Sequence, residues 1–370
     1  MNLSYWEYKT WLSNIDFTIV GSGITGLSCA LHLKKRFPEA KIVILEKGFL
    51  PQGASTKNAG FSCFGSISEI ISDLKHHSEQ EVFSLVKKRW DGIQLLRKNL
   101  GDTAIDFQNH GGHELFLRKD TKLFHHCNER LTELNEFLRP IFGKRAFRKT
   151  PNSFQFKNIH ESYITNSLES QIDTGKMMRR LLQLVLQSGT TVLNAVTVEE
   201  FSDESDKVQV KTDRFEFETR KLFFATNGFA SKLLQEEVKP ARAQVLITKP
   251  IKNLLINGTF HFDEGYYYFR NINNRILFGG GRNLNLKNEQ TDQFGQTELI
   301  QRQLEKLLKN VVLPKTSFEI DCRWSGIMGV GSQKRPVVKQ ISNGVFCGVR
   351  LGGMGIAIGS LIGKELGDLI

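Results

Sequence analysis

The sequence predicts an α/β protein in which a parallel sheet builds one domain and a mixed, mainly antiparallel sheet builds a second domain. Three observations predict this class. A strand runs through a glycine-rich turn into a helix between residues 16 and 36, a second strand ends on an acidic residue, and strand-rich stretches separated by helices follow. Because 370 residues exceed the usual size of one core, two domains are expected.

Composition limits the classes of function. The net charge of +11 raises the question of an anionic partner, but basic residues cluster only in short groups such as 87–89, so a lysine-rich surface is favoured over nucleic-acid binding. Five scattered cysteines without a CxxC pair indicate a reducing compartment without disulfides or zinc, and no metal site is expected. The N-terminus lacks a signal-peptide pattern, so we expect a cytoplasmic protein without a membrane span.

The first strand and helix carry a dinucleotide fingerprint. The β-branched and aromatic run Asp16–Val20 leads into Gly21-Ser22-Gly23-Ile24-Thr25-Gly26, which matches GxGxxG, and an amphipathic helix with basic last turns follows. A second strand, Lys41–Leu45, ends at Glu46, with Lys47 beside it. Strand, glycines, helix, second strand and terminal acid together indicate a Rossmann-like nucleotide-binding domain.

Each part of this pattern has a physical task. Gly21 permits the tight turn, Gly23 lets the backbone approach a pyrophosphate, and Gly26 lets the helix pack closely on the strand. The free N–H groups at the helix start then face the phosphates. Glu46 accepts hydrogen bonds from ribose hydroxyls and would repel a 2′-phosphate, which argues against NADP.

The next segment, Gln52–Phe61, points to the flavin cofactor. It resembles the GxSxxNAG segment of the D-amino-acid-oxidase-like flavoproteins, the superfamily of glycine oxidase and sarcosine oxidase. In that family the segment passes along the pyrophosphate of FAD and under the flavin, where small residues allow a close approach. The resemblance implies cofactor contacts from Ser55, Thr56, Asn58, Ala59 and Gly60. It also makes NAD in place of FAD the weaker alternative.

Later stretches extend the resemblance through the strand-rich middle of the chain. The strand Leu222–Phe224 runs into Ala225-Thr226-Asn227-Gly228, which is similar to a family turn that returns to the cofactor. A meander of strands precedes it, and the family places the backbone near Val196 against the adenine ring. Pro240–Leu246 resembles the family's crossing into the substrate domain.

The C-terminal end resembles the family's closing WxG and GxxG pattern. The segments Arg323–Gly329 and Leu351–Gly355 carry it, and Ile356–Ile370 reads as a helix that packs on the nucleotide domain. A helix start near the flavin pyrimidine would stabilise the negative charge gained on reduction. We expect cofactor contacts from Gly326, Gly352, Gly353, Met354 and Gly355. No cysteine stands at the family's tethering position near Gly326, so FAD is expected to be non-covalent.

These segments predict a discontinuous FAD-binding domain of residues 1–75, 150–240 and 322–370. Residues 76–149 and 241–321 then form the substrate domain, which is expected to cover one flavin face with antiparallel strands such as Phe260–Phe262 and Tyr266–Arg270.

The resemblance implies oxidation of a C–N bond of an amine or amino acid by hydride transfer to flavin N5, by an oxidase or a dehydrogenase. No dedicated acid–base pair is required if the amine binds unprotonated. An arginine with a tyrosine hydroxyl would suit a substrate carboxylate. The candidates are Tyr266, Tyr267, Tyr268, Arg270, Arg282, Arg323 and Arg350.

The predicted site consists of Arg350, Tyr267 and Arg323 from this set, together with Met328. Met328 stands where glycine-oxidase-like members carry an arginine, and Arg350, just before Leu351, is the possible replacement. The alternative to a substrate contact is that Arg350 or Arg323 contacts only the cofactor or an acidic residue on the surface. Adjacent tyrosines alternate across a strand, so at most two of the three can face a site.

Two further functions stay open at this point. The basic charge could serve a tRNA-modifying flavoenzyme of the same superfamily, although the concentrated basic run of a nucleic-acid binder is missing. A flavin-bound sensor without catalysis is the other alternative. A small amine or amino acid remains the expected partner.

Overall fold

The computed structural model describes residues 3–204 and 206–370, so Met1, Asn2 and Ser205 lie outside the described residues. The helices are α1 Tyr5–Glu7, α2 Ile24–Arg36, α3 Ile67–His76, α4 Glu79–Leu100, α5 Thr121–Phe142, α6 Thr174–Gln187, α7 Glu298–Leu307 and α8 Gly355–Gly367. The strands are β1 Ile15–Val20, β2 Ile42–Glu46, β3 Phe61–Ser62, β4 Gly112–Glu114, β5 Phe147–Pro151, β6 Ser162–Asn166, β7 Ser170–Gln171, β8 Thr191–Asn194, β9 Val198–Glu204, β10 Lys207–Thr212, β11 Glu216–Phe224, β12 Lys239–Thr248, β13 Thr259–Phe262, β14 Tyr267–Ile272, β15 Arg275–Gly280, β16 Ile320–Val330, β17 Val337–Ser342 and β18 Val345–Val349.

The first large sheet has a parallel centre. Its order is β17-β18-β11-β1-β2-β8, with β1 parallel to both β2 and β11, and the antiparallel strands β9 and β10 extend from β11 as a meander. All residues of β2 and all of β1 except Asp16 are buried, so both faces of these strands are covered, which explains their mainly apolar sequences. The carboxyl ends of β1, β2 and β11 therefore meet at one edge, where ligands bind in such sheets.

The C-terminal helix packs against the first helix of the fingerprint. A Cβ on Gly363 of α8 would lie 2.5 Å from the carbonyl oxygen of Thr25 in α2, so the two backbones touch where only a glycine fits. The packing brings the start of α8 to the same edge of the sheet as the start of α2. The expected packing of the last helix on the nucleotide-binding part of the chain is thus present, through α2.

The second large sheet has the order β16-β12-β15-β14-β13-β4-β6-β5. Its pairs are antiparallel except for β4 with β13. One face packs an aromatic core that includes Phe260, Phe269 and Phe278 against α7, and residues from the opposite face line a cavity. The α/β class with a parallel sheet, a meander and a second mixed sheet is confirmed. The domain boundaries stay a prediction.

Among the described residues, no helix is both long and apolar enough to cross a membrane. The same residues contain no group of three or more histidine, cysteine, aspartate or glutamate side chains arranged to hold a metal ion.

Candidate active site

Two glycines of the turn between β1 and α2 cannot be replaced by another residue without a backbone shift. Gly21 has a φ of +104°, and a Cβ on Gly26 would lie 1.9 Å from the carbonyl oxygen of Gly21. Gly23 precedes the first helical residue, Ile24. The first amides of α2 thus point away from the strand, towards the space beyond the sheet edge.

Glu46 at the end of β2 ties this turn to the neighbouring strand. Its buried carboxylate accepts hydrogen bonds from the backbone N–H and hydroxyl of Ser22, at 3.0 and 2.7 Å, and from the backbone N–H groups of Gly48 and Gln52, at 2.9 and 3.3 Å. Two carboxylate oxygens can accept further bonds from a ligand hydroxyl. The carboxylate therefore organises the turn as well as facing the cavity.

Glu46→Gln tests this organising role. The amide nitrogen of glutamine is a donor, so it would face the donors of Ser22 or Gly48 and lose at least one bond. We expect the free energy of unfolding to fall by about 1–3 kcal/mol and cofactor affinity to fall with it. Chemical denaturation and cofactor titration measure both. The control is the exposed Glu39→Gln, and equal stability of the two variants would contradict the role.

A cavity of about 1090 Å³ opens at this edge and is lined by residues of both large sheets. That volume exceeds the usual range for one small ligand, about 300–1,000 Å³, so it can hold a dinucleotide together with a substrate. The expected cofactor residues that line it are Gly21, Gly23, Ile24, Thr25, Glu46, Lys47, Ser55, Asn58, Ala59, Val196, Thr226, Asn227, Gly326, Gly352, Gly353, Met354 and Gly355. Five residues expected to contact the cofactor do not line the cavity: Ser22, Gly26, Thr56, Gly60 and Gly228.

The loop after β2 is fastened between the two sheets. Ser55 accepts a hydrogen bond from the backbone N–H of Ile24 at 3.0 Å, so its hydroxyl caps the start of α2. The Asn58 side chain bonds to carbonyls and an amide of its own loop. Trp324 on β16 donates its indole N–H to the carbonyl of Lys57 at 2.9 Å. The loop is therefore held rigidly beside the helix start.

The segment before α8 is held by two neighbours. Asn227 accepts a hydrogen bond from the backbone N–H of Leu351 at 3.0 Å, and Gly352 donates its N–H to the carbonyl of Gly329 at 3.0 Å. A Cβ on Gly228 would lie 2.6 Å from the carbonyl oxygen of Met328, so this turn also needs a glycine. The start of α8 is thus fixed at the cavity.

The chemistry of the cavity wall fits an FAD molecule. The side-chain oxygens of Thr25 and Thr226 are buried without a hydrogen-bond partner among residues 3–204 and 206–370, and both residues line the cavity. Buried hydroxyls in native proteins usually have a hydrogen-bond partner, and a polar ligand in the cavity would supply one to each of these two. A Cβ on Gly23 would lie 2.8 Å from the Ser55 hydroxyl, so the glycine lets this hydroxyl approach the helix start. Backbone amides, hydroxyls and one carboxylate are the donor and acceptor set that a diphosphate and a ribose require.

The cavity-facing side of the second sheet carries a row of directly opposed residues. The pairing register joins Glu114 on β4, His261 on β13, Tyr268 on β14, Gly279 on β15 and Val245 on β12. Residues opposite each other on neighbouring strands share a face. His261, Tyr268 and Val245 line the cavity. Gly279 leaves room for the Tyr268 ring, since a Cβ there would lie 2.6 Å from it.

The polar groups of this row are largely removed from water. Burial raises the pKa of Tyr268 to about 12, so its hydroxyl stays protonated, and burial raises the pKa of Glu114 as well. Burial would lower the pKa of His261, but the nearby carboxylates of Glu169, Glu114 and Glu69 outweigh it and raise the pKa. The wall thus presents one neutral phenol and one imidazole that titrates above its ordinary range.

Arg282 lies at the edge of the same wall. It follows Gly281, whose left-handed φ of +78° turns the chain after β15, and it lines the cavity together with Tyr266. Its guanidinium has no hydrogen-bond or ion-pair partner within the described part of the chain. An unpaired arginine fork beside a cavity can receive a carboxylate.

Three of the four residues predicted for substrate contact lie away from the cavity. Tyr267 faces the aromatic core and stacks on Phe262 at 5.1 Å, because it alternates with Tyr268 along the strand. Arg323 alternates with Trp324 in the same way and bonds to Glu305 and Gln301 beneath the sheet, at 2.8 and 2.7 Å.

Arg350 is the third of these residues. Its φ of +64° turns the side chain towards Glu237 and the carbonyl of Arg335. We therefore remove Tyr267, Arg323 and Arg350 from the substrate site. Met328, the fourth predicted residue, lines the cavity.

Two groups at the cavity were missed by the sequence interpretation. His261 stands between Phe260 and Phe262 in the sequence. Because side chains alternate along a strand, His261 lies on the other face of β13 from these two core residues, and the sequence could have indicated this. The polar face of α3 is the other group. Its Glu69 and Asp73 line the cavity and are bridged by Lys334 at 3.1 and 2.6 Å. Burial raises the pKa of Glu69, but the charges of Arg89 and Lys334 outweigh it, so the pKa is lowered.

Comparisons with known proteins give a family and a fold that agree with an FAD-binding cavity at this edge of the sheet. A family model described as FAD dependent oxidoreductase matches residues 16–369. The gamma-glutamylputrescine oxidoreductase of Escherichia coli is 22% identical to this chain, over 96% of the chain and 83% of that protein. Among solved structures, glycine oxidase from Geobacillus kaustophilus aligns with a TM-score of 0.76 at 18% identity, covering 96% of this chain and 94% of that one. L-proline dehydrogenase from P. horikoshii aligns with a TM-score of 0.74 at 17% identity, over 96% and 93% of the two chains.

Proposed function

Because the chain belongs to the FAD-dependent oxidoreductase family, we propose that it oxidises the C–N bond of an amine or amino acid in the cavity described above. Its cofactor is FAD, which when bound would supply the hydride acceptor for oxidation of the substrate to an imine, and the start of α2, Glu46 and the loop 53–58 would hold its ADP half. The curated relative is named for an amine and the two solved structures for amino acids, and these names support the substrate class.

The observation that carries the proposal is the continuity of the cavity. One part is lined by the start of α2, Glu46 and the loop 53–58, which suit the ADP half of FAD. Another part is lined by His261, Tyr268 and Arg282 of the second sheet. A substrate between these parts would contact the wall while its reacting carbon faces the cofactor. The residues orient and desolvate it, and such orientation supplies much of the rate enhancement.

The residues of the wall divide the tasks. Val245 and Gly279 give an apolar surface next to the Tyr268 ring, which excludes water from the reacting carbon. The Tyr268 hydroxyl, kept protonated by its raised pKa, donates a hydrogen bond to the substrate. Arg282 is an unpaired arginine of the wall that can bind a substrate carboxylate, which favours an amino acid over a simple amine.

Anaerobic reduction of the bound flavin tests the function. Purified protein is mixed without oxygen with a panel of primary and secondary amines and of D- and L-amino acids, and the visible absorbance of oxidised flavin is followed. At least one member of the panel is expected to bleach the absorbance, with formation of the matching imine hydrolysis product. Bleaching by dithionite but by no amine or amino acid would overturn the proposed substrate class.

Arg282→Ala tests the role of the carboxylate contact. A hydrogen bond to a charged group contributes about 1.5–3 kcal/mol, so the variant is expected to bind amino acids about 10- to 100-fold more weakly. Amines without a carboxylate should be bound as in the wild type. The dependence of the reduction rate on substrate concentration measures both. Arg179→Ala on exposed α6 surface is the matched control, and equal loss for amines and amino acids would contradict the contact.

A further inference from the structure

We propose that His261, backed by the buried carboxylate of Glu169, accepts the proton that the substrate ammonium must lose before its C–H bond is oxidised. The proposal rests on the proposed function and adds a proton-accepting residue to it. Its basis is the position of one imidazole between the cavity and two buried carboxylates.

His261 is placed at the cavity by its neighbours. Its side chain is 12% exposed, and its ring contacts the Phe61 ring edge-on at a centroid distance of 5.1 Å. Phe61 also contacts Tyr268 edge-on at 5.5 Å, so the three rings form one cluster in which His261 and Tyr268 are directly opposed on β13 and β14. All three residues line the cavity. A ligand on this wall therefore meets the imidazole and the phenol together.

Behind the ring lies Glu169, which is 1% exposed. Its Oε2 is 3.6 Å from Nε2 of His261, while its Oε1 accepts the backbone N–H of Phe64 at 3.3 Å. Nε2 has no hydrogen-bond partner among the residues that the structure describes. A Cβ on Gly112 would lie 1.9 Å from Oε2 of Glu169, so a glycine is required where the carboxylate approaches the strand. The carboxylate is thus built into place beside the imidazole.

Several other titratable groups act on His261. Glu114 accepts hydrogen bonds from the backbone N–H of Ser68, at 3.0 Å, and from the Ser68 hydroxyl, and it sits beside His261 in the row. The titratable groups that interact electrostatically with His261 from the elements packed against it are Glu114 and His113 on β4, Glu169 before β7 and Glu69 on α3, and Tyr268 on β14 lies directly opposite it. Burial lowers the pKa of His113 to about 4, so that ring is neutral, and the surroundings of His261 are anionic.

Such surroundings stabilise an imidazolium inside the protein. An amine or amino acid carries an ammonium group at neutral pH, and its nitrogen lone pair must be free before the adjacent carbon releases hydride. In the proposed step one N–H bond of the ammonium breaks, its electron pair stays on the substrate nitrogen, and the proton moves to a ring nitrogen of neutral His261. Glu169 then holds the imidazolium as its counter-ion.

The sign of the pH dependence follows from this step. Below the raised pKa of His261 the ring is already protonated and cannot accept a proton, so the rate of flavin reduction should rise as pH increases through that pKa. This rise of the rate with pH is called the pH limb. His261→Asn should lose the limb, and its flavin should be reduced about 10²- to 10⁴-fold more slowly at pH 7. Above the pKa of the substrate amine the two proteins should differ by less than about tenfold, because the substrate then arrives deprotonated.

The experiment is anaerobic stopped-flow reduction of the FAD-loaded protein from pH 6 to pH 10, with the most reactive member of the panel. A slow His261→Asn variant that recovers at high pH supports the proposal. A loss that is equal at all pH values, as binding of a carboxylate or a purely structural role would produce, overturns it. If no amine or amino acid reduces the flavin of the wild-type protein, the proposed function is overturned instead. The failure of this proposal and the failure of the proposed function are therefore distinguishable.

Further variants test the assignment to His261, and an NMR titration tests it independently of activity. Glu169→Gln removes the counter-ion and should move the limb to lower pH, and the His261 ring Cε1 signal in NMR should titrate above the ordinary 6.5 in the wild type and lower in this variant. His76→Asn and His77→Asn replace the other two cavity-lining histidines. Both should retain the limb, and its disappearance in either one would overturn the assignment to His261. The exposed His125→Asn is the control for the substitution itself.

Discussion

Gly26→Ala is expected to abolish tight FAD binding. The added Cβ would lie 1.9 Å from the carbonyl oxygen of Gly21 and 3.3 Å from the Ile19 side chain. The first contact is backbone, which cannot rotate away, so α2 must move off β1 and carry its first amides with it. We expect at least about 100-fold weaker FAD binding, equivalent to about 3 kcal/mol, and a loss of about 1–3 kcal/mol in the free energy of unfolding.

Fluorescence titration of the apoprotein with FAD measures the affinity, and chemical denaturation measures the stability. Gly175→Ala is the matched control, because this glycine lies in the first turn of α6 and a Cβ there meets only the Asp173 carboxylate, at 3.3 Å. It should bind FAD as the wild type does. If Gly26→Ala also bound FAD with unchanged affinity, the helix start would not hold the diphosphate.

Arg270→Ala is expected to loosen the cofactor loop from the second sheet. The buried guanidinium donates to the carbonyls of Gly60 and Ile172 at 3.0 and 2.6 Å, and a Cβ on Gly60 would lie 2.4 Å from it. Burial lowers the pKa of Arg270 to about 10, although Asp173 and Asp106 oppose the shift. Removing it leaves two buried carbonyls without this donor.

We expect Arg270→Ala to lose about 3 kcal/mol of stability. Each hydrogen bond to a charged group is worth about 1.5–3 kcal/mol, and relief from burying the charge offsets part of the loss. FAD affinity should fall as well, because residues 55–60 lose their anchor. Denaturation and FAD titration compare the variant with Arg270→Lys, which keeps the charge and should fall between it and the wild type. A stability equal to that of Arg179→Ala would contradict the anchoring role.

Much of the nucleotide-binding half could be predicted because its signals are local. About thirty positions contain the whole signal, which consists of the strands on either side, the glycines of residues 21–26 and the terminal Glu46. Each of these features follows from a known requirement of backbone geometry or ligand binding. The second sheet is different. Its parallel pairing of Gly112–Glu114 with Thr259–His261 joins segments nearly 150 positions apart, and no local pattern specifies such a register.

The substrate side was harder for a related reason. The sequence shows that side chains alternate between the two faces of β14 and β16. Which face is turned to the cavity depends on where α7 packs against the sheet, and this is not evident from the sequence. Tyr267 and Arg323 were therefore assigned to the wrong face, while Met328 lies at the cavity. The direction of the Arg350 side chain depends on a left-handed backbone φ. Such a φ is uncommon at a non-glycine residue, and no sequence pattern predicts it here.

The most direct measurement is an experimental structure of the protein with FAD and an unreactive substrate analogue bound. We expect the diphosphate at the first turn of α2, a ribose hydroxyl on Glu46 and the analogue between the flavin and the wall formed by His261 and Tyr268. A diphosphate bound away from residues 21–26, or an analogue bound away from this wall, would contradict the assignment of the cavity as the site of amine oxidation.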